Sequence, residues 1–409
     1  MSTFDALVVG AGPAGAAAAR ALAAGGASAC LLERAVFPRN KPCGGGITTR
    51  ALSRFPWLGP ALPRIATHYV SRLFLEAGSG ASVVLTSERP AVLLVRRCEF
   101  DELLARLAVE QGASLCEGAW VSQADAGDEG VAVRTRDGRE FHGRYLVVAD
   151  GVNGVVTRRL GLHPGWDSDA VALDMMEESP DAELRATDRD TLWVSYGHGG
   201  TDGYGYVFPK RDHVNVGVGC LLSHFRERVA APPYEVQRGF VGDLVGRGVL
   251  EGASRRERFT PCHIPVGGPI ARTAAGRVLV AGDAGGFVNA YTAEGIYYAM
   301  VTGELAAGAI LASLHDERPN HDAASRRYVR AWKREIGAEL RDSRLIQQYL
   351  FRDAGRIAAV VKGASGRPAL AQAIIAYAMG TVSYRAARRQ VLSQFPRTAL
   401  RLARIALFG

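Results

Sequence analysis

The first part of the chain alternates apolar runs with small-residue turns. Residues 6–9 are apolar, a glycine-rich turn follows at residues 10–15, and an alanine-rich stretch continues to residue 24. A second apolar run covers residues 29–32 and ends at Glu33. This order predicts strand, turn, helix and strand, which is how an α/β unit with a parallel sheet begins.

The turn has the form G-x-G-x-x-G, which is a weak signal alone but gains weight from its strand, helix and acid. Gly10 permits the turn, Gly12 lets the backbone approach a pyrophosphate, and Gly15 allows close packing of helix on strand. Glu33 stands about where the ribose-binding acid of such a unit belongs, which favours an unphosphorylated ribose. The alternative is a glycine-rich turn beside a surface glutamate. For the nucleotide, NAD and FAD both remain open at this point.

Later in the chain the apolar runs are shorter and separated by turn-rich segments. Runs at residues 82–86, 92–95, 192–196 and 214–218 predict strands of a second, antiparallel sheet. Another apolar run at 277–281 leads into Gly282-Asp283. From about residue 326 the pattern is mostly helical. The sequence therefore predicts an α/β unit interrupted by a strand-rich insertion and followed by helices.

Composition agrees with an enzyme of more than one domain. The 409 residues are 48% hydrophobic, which supplies substantial cores. The six cysteines are scattered without a C-x-x-C pair or a histidine cluster, so we expect neither a structural metal nor a disulfide framework. Because the N-terminus runs directly into the first strand without a secretory pattern, we expect a cytoplasmic protein.

The net charge of +8 belongs to the tail, because nine Lys and Arg residues and no acids follow Asp353. Arg397, Arg401 and Arg404 recur at helical spacing among apolar residues, which predicts a basic amphipathic helix on the inner face of an anionic membrane. The alternative is a helix packed on the body with its arginines in solvent. Residues 368–384 fall short of a spanning helix. Nucleic-acid binding is disfavoured because interleaved stacking aromatics and a recognised nucleic-acid fold are lacking.

Four motifs in order resemble the p-hydroxybenzoate hydroxylase-like flavoproteins: the Gly10 turn, RCEFDELL from Arg97, VVADGVNG ending at residue 154, and the segment GDAGGFVNAYTAEGI from residue 282. The resemblance implies FAD, with Asp283 on the ribityl chain, Arg97 on the nucleotide and Asp150 at the turn near the pyrophosphate. The cofactor residues it implies are Gly10, Gly12, Ala14, Gly15, Glu33, Arg34, Cys43, Gly44, Gly45, Arg97, Asp150, Gly151, Gly282, Asp283, Gly295 and Ile296.

Two further segments resemble the geranylgeranyl reductase family within that superfamily. KPCGGGIT from Lys41 is similar to its P-C-G-G motif, and YGYVFPK from Tyr204 with GVG at 217–219 is similar to its Y-x-W-x-F-P…G-x-G motif. The resemblance covers residues 1 to about 300. Tyr206 replaces the usual Trp, Ala290 the usual Pro and Ala293 the usual Gly. These changes leave the implied reaction class unaffected. They mean, however, that the substrate of one particular family member cannot be assigned to this chain.

The resemblance implies an α/β fold with a Rossmann-like FAD-binding domain, an inserted antiparallel-sheet substrate domain and a helical C-terminal region. We expect a discontinuous FAD-binding domain at residues 1–70, 96–165 and 272–325. The substrate domain is expected at 71–95 and 166–271, and the helical region at 326–409.

The implied reaction is hydrogenation of C=C bonds in a prenyl chain, by a hydride from reduced flavin N5 and a proton from the protein. Cys43 is the candidate proton donor, although it also fits a buried hydrophobic cysteine. Tyr204, Tyr206 and Phe208 alternate, so on a strand they share one face. With Pro209 they are candidates to line the substrate channel, and the two tyrosines are further catalytic candidates; the alternative is an ordinary core.

Two other functions stay open: an aromatic hydroxylase of the same fold, and a non-enzymatic prenyl-lipid carrier. The expected substrate is a prenyl lipid, prenylquinone, prenyl diphosphate or pigment. NAD(P)H and an electron-transfer protein such as reduced ferredoxin both remain open as electron donors.

Overall fold

The computed structural model describes residues 3–316, 321–351 and 353–366, together with positions 369, 372, 376, 386 and 389. The basic amphipathic segment predicted around Arg397, Arg401 and Arg404 lies outside the described residues.

The described strands, numbered along the chain, are β1 (Thr3–Val9), β2 (Ala29–Leu32), β3 (Gly46–Thr48), β4 (Thr67–Val70), β5 (Arg72–Ala77), β6 (Ser82–Thr86), β7 (Val92–Val95), β8 (Ser114–Cys116), β9 (Val121–Ala126), β10 (Val131–Thr135), β11 (Glu140–Val148), β12 (Val171–Pro180), β13 (Leu184–Ala186), β14 (Thr191–Tyr196), β15 (Tyr204–Pro209), β16 (His213–Leu221), β17 (Leu250–Gly252), β18 (Cys262–Pro265), β19 (Ala274–Ala275) and β20 (Val278–Val280).

The described α-helices are α1 (Pro13–Ala24), α2 (Arg50–Arg54), α3 (Arg97–Glu110), α4 (Val156–Arg159), α5 (Leu222–Arg228), α6 (Pro233–Gly246), α7 (Ile296–Leu314), α8 (His321–Trp332), α9 (Ala338–Leu350) and α10 (Ala354–Gly366). Short 3-10 turns cover Gly59–Arg64, Ser168–Ala170, His198–Gly200 and Gly282–Gly285, and a π-helical turn covers Lys333–Gly337.

The chain forms two compact units, each built from three stretches of sequence. The first unit comprises the chain up to Lys41, Cys98–Ala170 and Ile264–Arg341. The second comprises Pro42–Arg97, Val171–His263 and the described residues from Asp342 onward. The grouping differs from the boundaries expected by motif at residues 42–70, because β3 and β4 both pair with β7.

The first unit contains a largely parallel sheet in the order β19-β20-β11-β1-β2-β8. β1 lies between β11 and β2 and is parallel to both, while β9 and β10 extend β11 as an antiparallel hairpin. Residues 6–9 of β1 and all of β2 are apolar and buried, because both faces of such a sheet are covered. α1 packs on α7, where a β-carbon on Gly303 would lie 2.0 Å from the Ala14 carbonyl oxygen.

The second unit contains a sheet in the order β18-β12-β16-β15-β14-β5-β6. The pairs from β12 to β14 are antiparallel, and β14 with β5 is parallel. On one face Trp193, Val207, Val216 and their neighbours form a core with α6. Because side chains alternate along a strand, the opposite face carries a different set of residues. The aromatic residues predicted to line the substrate channel lie on that second face.

The predicted fold class is confirmed: an α/β unit with a Rossmann-type sheet, further sheets, and helices toward the C-terminus. Among the described residues, α7 is the one helix long and apolar enough to cross a membrane by length and composition, and most of it is buried within the protein. Its packing against α1 accounts for that apolar surface.

Candidate functional site

The glycine-rich turn after β1 is closed so tightly that side chains are excluded at two positions. Gly10 has φ +97°, and a β-carbon there would lie 2.3 Å from the Ala149 carbonyl oxygen. A β-carbon on Gly15 would lie 1.8 Å from the Gly10 carbonyl oxygen. These two glycines are therefore required by the fold of the turn itself.

Gly12 is different, because the fold leaves the space beside it open. It has φ −75° and ψ −175°, which any residue can adopt, and the nearest atom to its would-be β-carbon is Arg39 Nη2 at 3.8 Å. It precedes α1, which begins with Pro13 and has no side-chain cap or acid in its first turn. An uncapped helix N-terminus beside an open backbone suits a phosphate group.

Glu33 is buried at the end of β2 and is built into this turn. Its Oε2 accepts a hydrogen bond from the Ala11 N–H at 2.9 Å, and its Oε1 accepts one from the Ala35 N–H at 3.1 Å. Arg39 Nε lies 3.4 Å from Oε1, and Arg39 Nη1 donates to Asp101 at 2.9 Å. The carboxylate thus fixes the glycine-rich turn from the neighbouring strand, in addition to the ribose contact predicted for it.

Asp150 follows β11 and has one carboxylate oxygen without a partner among the described residues. Its Oδ2 accepts a hydrogen bond from the Val156 N–H at 3.1 Å, whereas its Oδ1 is buried and unpartnered. A β-carbon on Gly154 would lie 2.1 Å from that carboxyl group. Burial raises the pKa of Asp150 from 3.8 to about 6. An orphaned polar atom at this turn is a second feature that suits a bound nucleotide.

The segment after β20 packs beside the start of α1 in the first unit. Gly282 has φ +61°, and its would-be β-carbon lies 2.9 Å from that of Ala14. Asp283 Oδ1 lies 3.2 Å from the would-be β-carbon of Gly295, the residue that precedes α7 and Ile296. Ala293, which stands where the resembled family has Gly, has φ +55°. Alanine is strained in this left-handed conformation.

The structure shows where three other residues lie that are predicted to contact the cofactor. Arg34 is exposed after Glu33, with its guanidinium 5.7 Å from the Trp120 ring centre. Arg97 is buried as the first residue of α3, and Gly151 has φ +79° in the turn after Asp150. Their contacts with FAD stay predictions.

In the second unit, the strand register places the candidate aromatic residues on one face. Tyr206 lies opposite Gly217 of β16, which lies opposite Met176 of β12. The ring centres of Tyr204 and Tyr206 are 6.3 Å apart, and those of Tyr206 and Phe208 are 4.8 Å apart. Continuing across the sheet, the same face carries the following residues: Leu75, Val194, Tyr196, Gly219, Asn215, Asp174 and Glu178.

The P-C-G-G loop packs against this aromatic row. A β-carbon on Gly44 would lie 2.8 Å from two ring carbons of Phe208. Gly45 has φ +71°, and its would-be β-carbon lies 2.1 Å from the Val95 carbonyl oxygen. The Cys43 sulfur accepts a hydrogen bond from the Gly45 N–H at 3.4 Å. Two motifs that are some 160 residues apart in sequence therefore form one structural feature.

Tyr206 is anchored by a buried carboxylate that the sequence reading did not identify. Its hydroxyl donates to Asp174 Oδ2 at 3.0 Å, and a β-carbon on Gly217 would lie 2.5 Å from the same hydroxyl oxygen. The Cys262 thiol lies 3.9 Å from Asp174 Oδ2 and 3.7 Å from the Pro42 carbonyl oxygen. Burial raises the pKa of Tyr206 well above its ordinary value, and the charge of Asp174 adds to the rise.

A buried charge cluster lies beside the same loop. Lys210, which is 1% exposed, pairs with Glu178, and Arg96 Nε lies 3.2 Å from Glu178 Oε1. Burial alone would raise the pKa of Glu178, but the charges of Lys210 and Arg96 lower it below its ordinary value. The would-be β-carbon of Gly45 is 3.0 Å from Lys210 Nζ, so the cluster supports the loop.

Sequence reasoning missed Asp174, Cys262, Glu178 and Lys210. Asp174 had a detectable signal, because it is a lone acid within the apolar run VALDMM of β12. Cys262 had none, since nothing near it in sequence marks it as close to Pro42.

The open backbone at Gly12 and the uncapped start of α1 fit the pyrophosphate of FAD, whereas the orphaned Asp150 oxygen, an acceptor, suits a hydrogen-bond donor such as a hydroxyl group of the same cofactor. The FAD-binding domain family matches residues 3–325, and the chain belongs to it. The protein is therefore an FAD-binding flavoprotein of the oxidoreductase class.

Relatives with reductase names cover most of the chain. It is 32% identical to a menaquinone reductase of Mycobacterium tuberculosis over 74% of this chain and 75% of the relative. It is 30% identical to digeranylgeranylglycerophospholipid reductase 1 of Methanopyrus kandleri over 81% of this chain and 87% of the relative.

Solved structures support the fold. A geranylgeranyl bacteriochlorophyll reductase-like protein from Thermoplasma acidophilum matches with a TM-score of 0.82 and 19% identity, over 98% of this chain and 99% of the other. A flavin-dependent brominase matches with a TM-score of 0.75 and 18% identity, over 97% and 100% of the two chains. The same fold thus occurs in flavoproteins with different reactions.

Proposed function

We propose that this protein is an FAD-dependent reductase that hydrogenates C=C bonds of a prenyl chain. The observation that carries the proposal is the aromatic row of Tyr204, Tyr206 and Phe208, with the P-C-G-G loop packed on it through Gly44. The rings and aliphatic side chains that β15, β14 and β5 place on this sheet face suit an isoprenoid chain, which offers no polar groups to recognise. The relatives named as reductases of menaquinone and of a digeranylgeranyl phospholipid support the same substrate class.

FAD, when bound and reduced, supplies the hydride. In the proposal the cofactor is held by the glycine-rich turn, Glu33, Arg34, Arg97, Asp150 with Gly151, and Gly282 to Ile296, with Cys43, Gly44 and Gly45 contributing from the loop. These residues bind and orient the flavin, and the fold of the turns keeps their backbone groups in place. The division of the chain into an FAD-binding domain, a substrate domain and a helical C-terminal region is part of the same proposal.

The protein also has to provide a proton, because hydrogenation of an alkene adds one hydride and one proton. Cys43 is the proposed donor, because its S–H group can give up a proton and its loop is fixed by Gly45. The Gly45 N–H that points at the sulfur stabilises the thiolate left after transfer. Tyr204, Tyr206, Phe208 and Pro209 are proposed to line the substrate path.

The acceptor is proposed as a prenyl lipid or prenylquinone, with the electrons arriving from NAD(P)H or a reduced ferredoxin. Tyr206, Ala290 and Ala293 depart from the resembled family in motifs expected near the reacting end of the substrate. The particular acceptor is therefore best found by assay rather than taken from one relative.

The test is anaerobic. The purified protein is reduced with dithionite, a panel of geranylgeranyl phospholipids, menaquinones and geranylgeranyl diphosphate is added, and flavin reoxidation and product mass are followed. Prenyl reduction predicts oxygen-free reoxidation and a gain of two mass units per double bond that persists after the product is exposed to air, which returns any quinol to its quinone. Flavin that stays reduced until oxygen is admitted, with a hydroxylated or halogenated aromatic product, would refute the proposal in favour of oxygen chemistry.

Cys43→Ala tests the proton donor, with Cys116→Ala in the first unit as the matched control. The Cys43 variant is expected to turn over at least tenfold more slowly even when it is saturated with FAD and prenyl lipid, in line with general-acid contributions of about 100-fold or more. The Cys116 variant should turn over like the unaltered protein. Unchanged turnover in Cys43→Ala would remove this thiol from the mechanism.

A further inference from the structure

Tyr206 differs from Tyr204 and Phe208 because its ring crosses a neighbouring strand to reach a buried acid. β16 lies between β15 and β12, and the residue of β16 opposite Tyr206 is Gly217. The absence of a side chain there leaves room for the phenol, since a β-carbon would come within 2.5 Å of its oxygen. The hydroxyl ends on Asp174, which is 4% exposed.

We propose that Asp174 is a positioning residue for the reaction, acting through Tyr206: it fixes the phenol ring and enriches its electron density. The inference rests on the proposed function and deepens it. Asp174 itself need not touch the substrate. Its carboxylate accepts the phenol hydrogen, and an O–H group that donates to an anion leaves more electron density on the ring to which it is attached.

The chemistry explains why an electron-rich ring is useful here. Protonating an isolated alkene places positive charge on the neighbouring carbon until hydride arrives. Aromatic faces stabilise such charge, and Trp does so best, ahead of Tyr and Phe. Tyr206 stands where the resembled family has Trp. The hydrogen bond from Tyr206 to Asp174 compensates for the weaker ring, while the atoms gained by the substrate still come from reduced flavin and the protonating acid.

Cys262 supports the same arrangement from the other side of the carboxylate. Its thiol lies within 3.9 Å of Asp174 Oδ2 and 3.7 Å of the Pro42 carbonyl oxygen, next to the proposed proton donor. The Oδ2 atom of the buried carboxylate thus has both a phenol and a thiol as neighbours. Burial and, next, the charge of Asp174 raise the pKa of Tyr206, so it stays a neutral phenol whose contribution is its ring.

The experiment compares Asp174→Asn in three backgrounds: unaltered Tyr206, Tyr206→Phe and Tyr206→Trp. With Tyr206 present, Asp174→Asn should lower single-turnover reduction of a geranylgeranyl lipid about three- to tenfold, while the lipid Kd stays within twofold. In the Tyr206→Phe background the same change should cost less than about twofold, because no hydroxyl remains to polarise. In the Tyr206→Trp background it should also cost less than about twofold. Asp190→Asn, at a side chain that is 76% exposed, is the control.

A second readout uses oxidised protein without substrate. Asp174→Asn should lower Tm when Tyr206 is present but cause no further loss in the Tyr206→Phe background, which reports on the contact alone. Equal losses of turnover in all three backgrounds, or a Kd that weakens as much as turnover falls, would overturn the proposal. If no prenyl substrate is reduced by the unaltered protein, the proposed function fails and this role fails with it, whereas the Tm coupling would still be seen.

Discussion

Gly44 and Phe208 should depend on each other, although they belong to different motifs. A β-carbon added at Gly44 would lie 2.8 Å from both Cδ2 and Cε2 of Phe208, at least 0.6 Å closer than the 3.4 Å at which ordinary contacts begin. Gly44 is not in the left-handed region, so the expected effect of Gly44→Ala comes from packing and not from backbone strain.

The size of the effect follows from how far the ring can move. Forcing extra atoms into a packed site costs typically 1–3 kcal/mol. Phe208 is only partly buried, so its ring can yield somewhat, and we expect Gly44→Ala to cost roughly 1–2 kcal/mol. Phe208→Leu, which removes the ring edge, should cost about 1 kcal/mol alone. In the double variant the clash is absent, so the two costs should not add, with a coupling of about 1 kcal/mol.

The assay is a double-mutant cycle by chemical and thermal unfolding of the FAD-loaded protein. Gly59→Ala is the matched control, because a β-carbon there meets no atom within 4 Å. In parallel, prenyl turnover should fall in Gly44→Ala and recover in part when Phe208→Leu is added. Additive losses, or a Gly44→Ala variant as stable as Gly59→Ala, would refute the interpretation that the loop glycine makes room for the ring.

Gly12→Ala should leave unfolding of the FAD-free protein within about 0.5 kcal/mol of the original yet weaken FAD binding in a fluorescence titration, because the fold leaves that position open; normal FAD affinity would contradict the phosphate assignment. Ala293→Gly should stabilise by roughly 0.5–1 kcal/mol by relieving φ +55°, and a loss of stability in the same unfolding assay would disprove the strain. Asp150 binds its proton more tightly when folded, since its pKa rises from 3.8 to about 6, so its contribution to FAD-free stability is present below pH 4 and lost as pH rises to 6. Stability of the original relative to Asp150→Asn should therefore fall by on the order of 2 kcal/mol over that range, and a flat difference would show that the carboxyl is not desolvated. Replacing Arg397, Arg401 and Arg404 by Glu should abolish co-sedimentation with anionic vesicles, whereas equal co-sedimentation would argue against a basic membrane contact.

Local rules were enough to predict the cofactor turn. Gly10, Gly15 and Glu33 lie within one strand–helix–strand succession, where spacing dictates what is adjacent, and the structure adds only the reason for each glycine. The shared face of Tyr204, Tyr206 and Phe208 was predictable for the same reason, because a strand repeats every second residue.

The support behind that face was not predictable, because it depends on the register between strands. Asp174 meets Tyr206 across 32 residues of sequence and one intervening strand, and a shift of one residue in either pairing would turn it to the core face. The Lys210–Glu178 pair depends on the same pairings, whereas the contact of Cys262 with Pro42 joins β18, at the edge of this sheet, to a loop distant in sequence. A single sequence contains no record of register, so the order of motifs could be read but not their mutual contacts.

The sheet of the first unit is completed by a strand that comes late in the sequence, and this order affects how the protein folds during synthesis. β20 (Val278–Val280) joins the sheet beside β11, and Asp283 follows directly, so the nascent chain lacks both until about two thirds of it has been made. Until then the edge of β11 that β20 will cover is open to other strands. Premature chain termination in the insertion would therefore leave an exposed, aggregation-prone sheet edge and an incomplete flavin site, and cofactor capture during translation must be a late event.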